Sequence, residues 1–381
     1  MAHQVHLTAF DLDAGRKRTR YRCDVAGLGT DRELVYDVSS TTGHKEPSLT
    51  ANWAVKGLLI PAMRAGLNMR ISGLGLSPLL LHFLRTDIQD LLIRHDARLT
   101  RVEIDADLAP EVKPGSGSIR IGTGFSAGVD SFSALLAFQH SDTASALDVT
   151  DLLTFDVGAF SGSGGASRKQ FEHARRRMSE YASAHGLHAH SVSSNLDEFY
   201  PSVYGPDFIR THTLRNASAA SLFERELDIY LYASTFAYSE IDLAADYDLA
   251  HLDPILLPLL STPSLRFVSS GAGSDRIRKT RILADFGPAQ DLLDVCVKPA
   301  KVRQEIVGPG LNCSRCWKCV RTIATLEAMG KLDSFGRVFD LPHYRANREA
   351  LLSKLKRRAR AGSTLDKAAY QFHEDVMRGR Q

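Results

Sequence analysis

An alternation of strand and helix that begins near residue 118 constrains this chain more than any other feature. Ile119, Ile121, Thr123 and Phe125 alternate as in a strand, and Phe132, Leu135 and Leu136 then fall at helical spacing. Leu152 to Val157 reads as a second strand. Phe171, Ala174, Met178 and Tyr181 mark an amphipathic helix, and His188 to Val192 and Leu265 to Ser269 read as further strands. Strand and helix repeated in this way predict an α/β fold, a parallel sheet with crossover helices on both faces.

The residues before that alternation follow a different pattern. Val5, Leu7 and Ala9, then Tyr21, Cys23 and Val25, then Leu34, Tyr36 and Val38 alternate, which predicts antiparallel strands. Ala51 to Ala65 and Leu79 to Ile93 read as helices, and Val102, Ile104 and Ala106 alternate again before Pro110, Pro114 and Gly115-Ser116-Gly117-Ser118. We expect an N-terminal α+β domain over 1–115, separate from an α/β domain over 116–335, and a helical tail over 336–381 built from Arg348 to Arg360 and Thr364 to Met377. With 381 residues, 44% of them hydrophobic and 24% charged, the chain has material for such cores. Its net charge of +3 is too small for a protein that coats nucleic acid. No apolar run nears the roughly 20 residues that cross a bilayer, so a cytoplasmic protein without a membrane partner is expected.

Between the first strand and first helix of the α/β part lies Gly124-Phe125-Ser126-Ala127-Gly128-Val129-Asp130-Ser131. Small residues at a helix start let backbone N–H groups approach an anion, and the helix dipole adds positive potential, so phosphate binding is expected. No Lys follows the glycines as in a Walker loop, and Gly122-Thr-Gly124-Phe-Ser-Ala-Gly128 misses the dinucleotide spacing by one residue. The competing reading is a Ser/Gly-rich helix cap without ligand.

Cys313-Ser-Arg-Cys316-Trp-Lys-Cys319 places three thiols at C-x2-C-x2-C spacing, and Cys296 lies 17 positions upstream. Four such thiolates make a closed tetrahedral zinc site. An iron–sulfur cluster also uses cysteines two residues apart, and packing without metal is the remaining reading.

The loop resembles that of the PP-loop ATP pyrophosphatase superfamily, Ser-Gly-Gly-x-Asp-Ser, which follows the first strand of an adenine nucleotide alpha hydrolase fold. Ser126, Gly128, Asp130 and Ser131 match; Ala127 departs. Combined with the late cysteines, the chain is similar to the 7-cyano-7-deazaguanine synthase branch, over about residues 118 to 330, where four thiols hold zinc. The resemblance implies ATP with Mg2+, cleaved to AMP and pyrophosphate as AMP passes to a substrate carboxylate or amide oxygen. A nitrogen nucleophile then displaces the adenylate. It implies that Phe125 to Ser131 bind the nucleotide and that Ser126, Asp130 and Ser131 serve catalysis. Cys296, Cys313, Cys316 and Cys319 would hold Zn2+.

Weaker signals surround these two. In Ser274-Asp-Arg276-Ile-Arg278-Lys279-Thr-Arg281, Arg276 and Lys279 or Arg278 and Arg281 share a helix face. The relatives carry an Arg and a Lys in a similar segment, so Arg276 and Lys279 are the expected ATP or substrate contacts and Lys279 a catalytic one; a solvated basic face is the alternative. Asp156 ends the second strand, where open α/β sheets bind ligands, and is expected to meet the nucleoside. His212, Arg215, His251 and Asp253 are lesser candidates beside capping, core or turn roles. Arg175-Arg-Arg177 and Lys354 to Arg360 read as solvated helix faces.

The substrate class left open is a small molecule, a modified base, or a protein or peptide. Nucleic acid stays open but not favoured, and a homodimer is allowed. A sulfurtransferase is the alternative enzyme, yet with four thiols on metal only Cys23 would remain to carry a persulfide. A non-catalytic nucleotide-binding protein is the alternative outside enzymes.

Overall fold

The N-terminal alternation forms β1 (Gln4–Ala14), β2 (Arg18–Ala26) and β3 (Arg32–Ser40), an antiparallel run in which Leu7 is paired with Val25 and Tyr21 with Tyr36. The computed structural model describes residues 4–15, 17–29, 31–110, 118–138, 147–160, 165–200, 208–298 and 311–379. Helix α1 (Asn52–Ala65) ends at Gly66, whose φ of 65° is the left-handed stop that a glycine adopts freely. Then come β4 (Asn68–Leu76), α2 (Pro78–Arg85), α3 (Asp87–His95) and β5 (Ile104–Leu108). The single helix expected over Leu79 to Ile93 is two, broken at Thr86, whose φ and ψ of −122° and −105° are not helical.

The second half runs β6 (Ile121–Gly124), α4 (Val129–Ala137), β7 (Asp151–Asp156), α5 (Gly165–Ala184), β8 (His188–Ser194), α6 (Phe208–Ser221) and β9 (Ile229–Ala233). It continues with α7 (Asp253–Leu259), β10 (Arg266–Ser270), α8 (Arg276–Ala284), α9 (Gly287–Leu292) and α10 (Trp317–Ala328). Helices α11 (Leu341–Ala346), α12 (Arg348–Arg360) and α13 (Thr364–Met377) form the tail.

All ten strands belong to one sheet, in the order β10-β9-β6-β7-β8-β3-β2-β1-β4-β5. The five strands from β10 to β8 are parallel. The expectation of a separate N-terminal β element fails, because β3 pairs antiparallel with β8 and sets Val38 opposite Val192. A strand left unpaired at β8 would expose its N–H and C=O groups, and β3 satisfies them. The Gly-Ser stretch at the expected boundary lies, but for Ser118, outside the described residues.

Two cores flank the sheet. Successive side chains of a strand point to opposite faces. Leu153, Phe155, Tyr230 and Tyr232 therefore join one core with Trp53 and Leu58 of α1 and Leu214 of α6, while Leu152 and Leu231 join the other with Phe132 of α4, Met178 of α5 and Ile323 of α10. Helices thus cover both faces of the parallel half, as expected. In sequence order the parallel strands stand third, second, first, fourth, fifth. The order reverses direction between β6 and β9, and doubly wound sheets open a crevice at the carboxyl ends of their strands at such a point.

Candidate functional site

The loop from β6 to α4 lies at that reversal. Gly124 is confined by its neighbour strand: a Cβ there would come within 2.8 Å of the Tyr230 hydroxyl. The Phe125 amide donates to Leu153 O at 2.8 Å, which fixes the loop entry. Ala127 has a φ of 56°, a left-handed conformation that costs a non-glycine residue about 1–2 kcal/mol. It is held by its carbonyl, which accepts a 2.8 Å hydrogen bond from Asp294 N–H. Ser126 Oγ accepts from the Gly128 amide at 3.3 Å and lies 3.4 Å from Ser131 Oγ, which donates to Gly128 O at 3.1 Å. The first backbone bond of the helix runs from Phe132 N–H to Gly128 O, so the amides of Val129, Asp130 and Ser131 have no intrahelical partner.

Four cations converge beside this helix start. Arg276 Nη2 lies 2.8 Å from Asp130 Oδ2, and Lys279 Nζ lies 3.3 Å from Asp130 Oδ1 and donates to Ser234 O at 2.5 Å. Both belong to the first turns of α8, whose cap is Asp275 Oδ1 accepting from Arg278 N–H. Arg276 and Lys279 are buried; Arg278 and Arg281 are not. Burial pushes the Lys279 ammonium down and the Asp130 charge pulls it up. Arg276 Nε is buried with no hydrogen-bond partner among the described residues. The other two cations, Lys318 and Arg321, come from α10. Burial and the charges of Arg321 and Arg276 push Lys318 down, while Asp130 and Asp248 pull it up. Arg321 pairs with Asp366 of α13 at 3.3 Å, and Asp366 also binds Arg358 at 2.7 Å. The tail therefore docks on the back of this cluster.

The four expected thiols do meet. Their sulfurs lie within 4.8 Å of one another and all four residues are buried. Cys313 and Cys319 Sγ are 3.8 Å apart, Cys316 and Cys296 4.0 Å, and Cys316 and Cys319 3.3 Å. A tetrahedron with bonds of about 2.3 Å has edges of about 3.8 Å, so the group fits a four-coordinate metal such as zinc. The turn is shaped for thiolates: Ser314 has a φ of 54°, and the amides of Cys316 and Lys298 donate to the sulfurs of Cys313 and Cys296.

This cluster is wired to the loop. Asp294, whose amide holds Ala127, accepts at Oδ1 from Cys296 N–H at 3.2 Å and pairs at Oδ2 with Arg177 at 2.8 Å. Asn312, beside Cys313, accepts from Val295 N–H and donates to Leu293 O and Val338 O. Arg177 is buried in this contact, which corrects the reading of Arg175 to Arg177 as wholly solvated; Arg175 and Arg176 do lie outside, near Glu172 and Glu180.

Asp156 stands at the carboxyl end of β7, one strand from the loop. Burial and the Asp197 charge push its carboxyl up to about 6, although the Gly158 and Phe160 amides donate to it. Arg215 is engaged by Asp197 at 2.7 Å and Val157 O at 3.1 Å and stacks on Tyr200, 3.6 Å from the ring centroid. Gly158, with φ of 118°, makes room for it, since a Cβ would lie 2.2 Å from Arg215 Nη1. His212 bridges Tyr232 OH at 2.6 Å and Asp248 at 3.1 Å, and its pKa is raised by Asp248 against the effect of burial. Asp253 is fully buried, takes a 2.7 Å bond from Thr213, and is pushed up to about 7 by burial. His251 is held between Asp242 N–H and Tyr247 OH. These four thus have local partners, as core and turn residues do.

Sequence reasoning missed Lys318, Arg321 and Asp294. Two of them sit between or beside the cysteines, where the metal spacing alone drew attention; the positive residues inside Cys316-Trp-Lys-Cys319-Val-Arg were the available signal. No helix among the described residues is long and apolar enough to cross a membrane. Comparison of the chain with family models, with curated proteins and with solved structures finds no match.

Proposed function

We propose that the chain is an ATP-dependent, AMP-forming ligase or synthase with an adenine nucleotide alpha hydrolase-like core, similar in chemistry to 7-cyano-7-deazaguanine synthase. The observation that carries this reading is the serine-glycine helix start at the strand-order reversal, faced by Arg276 and Lys279 on one carboxylate, Asp130. A buried cluster of cations with fewer carboxylates than charges, beside free helix amides, suits the β and γ phosphates of ATP.

A substrate carboxylate or amide oxygen attacks the α-phosphorus in line, the bond from that phosphorus to the bridging oxygen breaks, and pyrophosphate leaves onto the loop. Ser126, Ser131, Arg276 and Lys279 hold the charge that grows on it. A nitrogen nucleophile then attacks the activated carbon, the bond to the AMP oxygen breaks, and AMP departs. Magnesium supplies charge neutralisation on phosphate oxygens. Both oxygens of Asp130 already pair with cations, so in this reading Asp130 positions Arg276 and Lys279 against the phosphates and would not itself hold the metal. Asp156, at the next strand end, suits the nucleoside. Zinc at the four thiols is structural in this reading.

Sulfur transfer is disfavoured by the remaining thiol. Cys23 is fully buried on β2, and burial pushes its pKa well above the ordinary thiol range. A persulfide carrier needs an accessible thiolate.

The test is product analysis with ATP, Mg2+, ammonia and a panel of carboxylic acids and amides. AMP and pyrophosphate are expected, and Ser126→Ala is expected to slow their release at least about tenfold. ADP and orthophosphate would overturn the reading.

A further inference from the structure

We infer that Lys318, carried between two metal-binding cysteines, is a third cationic contact to the anion at the loop and recognises its pyrophosphate end. This rests on the phosphate reading above and extends it to a residue outside the loop and α8.

Lys318 is the second residue of α10, flanked by Cys316 at the cap and Cys319 in the first turn, so the thiol cluster fixes its backbone on both sides. Successive helix residues differ by about 100°, so a turn with Cys319 toward the sulfurs directs Lys318 to a neighbouring face. Helix α10 packs against α8, the helix that carries Arg276 and Lys279. Arg276, Asp130, Asp248 and His212 all lie within electrostatic reach of the ammonium.

Its neighbours have carboxylates and it does not. Arg276 and Lys279 share Asp130, and Arg321 has Asp366. Among the described residues the Lys318 ammonium has no ion pair; its contact is the Trp317 ring, with Nζ 5.4 Å from the centroid. Asp248 is engaged by His212, and Glu240, whose charge reaches Lys279, is engaged by Ala237 N–H. Arg276 and Lys279 thus share one carboxylate, and Lys318, on the helix packed against theirs, adds a third cation without one. Arg276 Nε, buried and unpartnered, is a second unmet donor in the same place. Partly buried charges are normally paired, so this excess fits a polyanion with more than one negative charge. Pyrophosphate and the β,γ end of ATP are such groups; AMP is not.

The test uses the full-length zinc-loaded protein and titrates pyrophosphate, MgATP and AMP by calorimetry and by tryptophan fluorescence. The chain has two tryptophans and Trp53 is buried in the far core, so a change reports Trp317. Lys318→Ala and, independently, Lys318→Gln are expected to weaken pyrophosphate and MgATP about tenfold. AMP affinity, zinc content and melting midpoint should stay unchanged. Lys318→Arg should recover most of the loss. Wild-type affinity for pyrophosphate in both neutral variants would overturn the inference and leave the phosphate reading standing. Failure of the wild-type chain to bind any of the three would overturn both.

Discussion

Asp130 holds Arg276 and Lys279 at once, and both cations are nearly buried. Its removal should therefore cost more than the loss of a capping side chain. Asp130→Ala leaves the two charges facing each other without compensation, which is expected to cost on the order of 3 kcal/mol. Ser126 is exposed and makes only two long bonds, so Ser126→Ala should cost about 1 kcal/mol while still slowing turnover. Urea unfolding of the two variants checks the contrast, and equal losses would show that Asp130 is not bearing those charges. Asp156 makes the opposite case. Its carboxyl rises from 3.8 to about 6 on folding, so the native state prefers the protonated form and loses stability as pH rises through that window. After allowance for its partial exposure, the loss at pH 8 is on the order of 1 kcal/mol. Asp156→Asn should therefore raise the unfolding free energy at pH 8 and leave it unchanged at pH 3.5. A gain independent of pH would remove the carboxylate from the account.

At the scale of elements, the thiol turn and the loop between β6 and α4 form one mechanical unit. Cys296 follows Asp294 by two residues, and Asp294 N–H is the bond that holds Ala127 in its left-handed conformation. With a metal at the thiols, its loss would free the segment over 293–296 and with it the loop, because structural metal contributes folding energy directly. Chelation, or Cys316→Ser, should lower the melting midpoint and abolish pyrophosphate binding together. A chelated protein that still binds pyrophosphate at wild-type affinity would uncouple the two. Much of this half was legible locally: the alternation before Ser126, the thiol spacing and the helical tail over 348–360 and 364–377 all follow from short-range periodicity. Other elements were not. Strand β9, Ile229-Tyr-Leu-Tyr-Ala, is a short buried run without alternation, and α6 carries Thr, Ser, Asn and Ala on a face packed against α1, so neither shows an amphipathic stripe. The union of loop and cysteines rests on Asp294, an ordinary acidic residue in sequence, whose role exists only after the chain has closed.

At the scale of the molecule, the joint between the two halves of the sheet is the feature that no local pattern announced. Beside the β3–β8 pairing, at the end of the sheet opposite the β6–α4 loop, buried charges link the halves. Arg120 binds Asp151 at 2.5 Å and Glu226 at 3.3 Å; His190 on β8 lies 2.8 Å from Asp151; and Glu226 is bonded to His44, which meets Tyr21 of β2 at 2.6 Å. Burial alone would raise the Glu226 carboxyl, but the His44 bond and charge and the Glu46 amide hold it down at about 2. Asp151 is likewise lowered by His190 and Arg120 against burial. A carboxyl depressed by folding lends stability that is complete above its unfolded value of 4.5 and is lost as pH falls toward 2. For Glu226 this amounts to about 3 kcal/mol. The whole sheet should therefore weaken steeply below pH 4.5. Glu226→Gln should be less stable than wild type at pH 7, with the gap closing as pH approaches 2.5. Urea midpoints of both proteins across that range measure it. A gap that stays constant would mean that the joint is held by packing around Val38 and Val192, with the ionic network contributing nothing to the union of the halves.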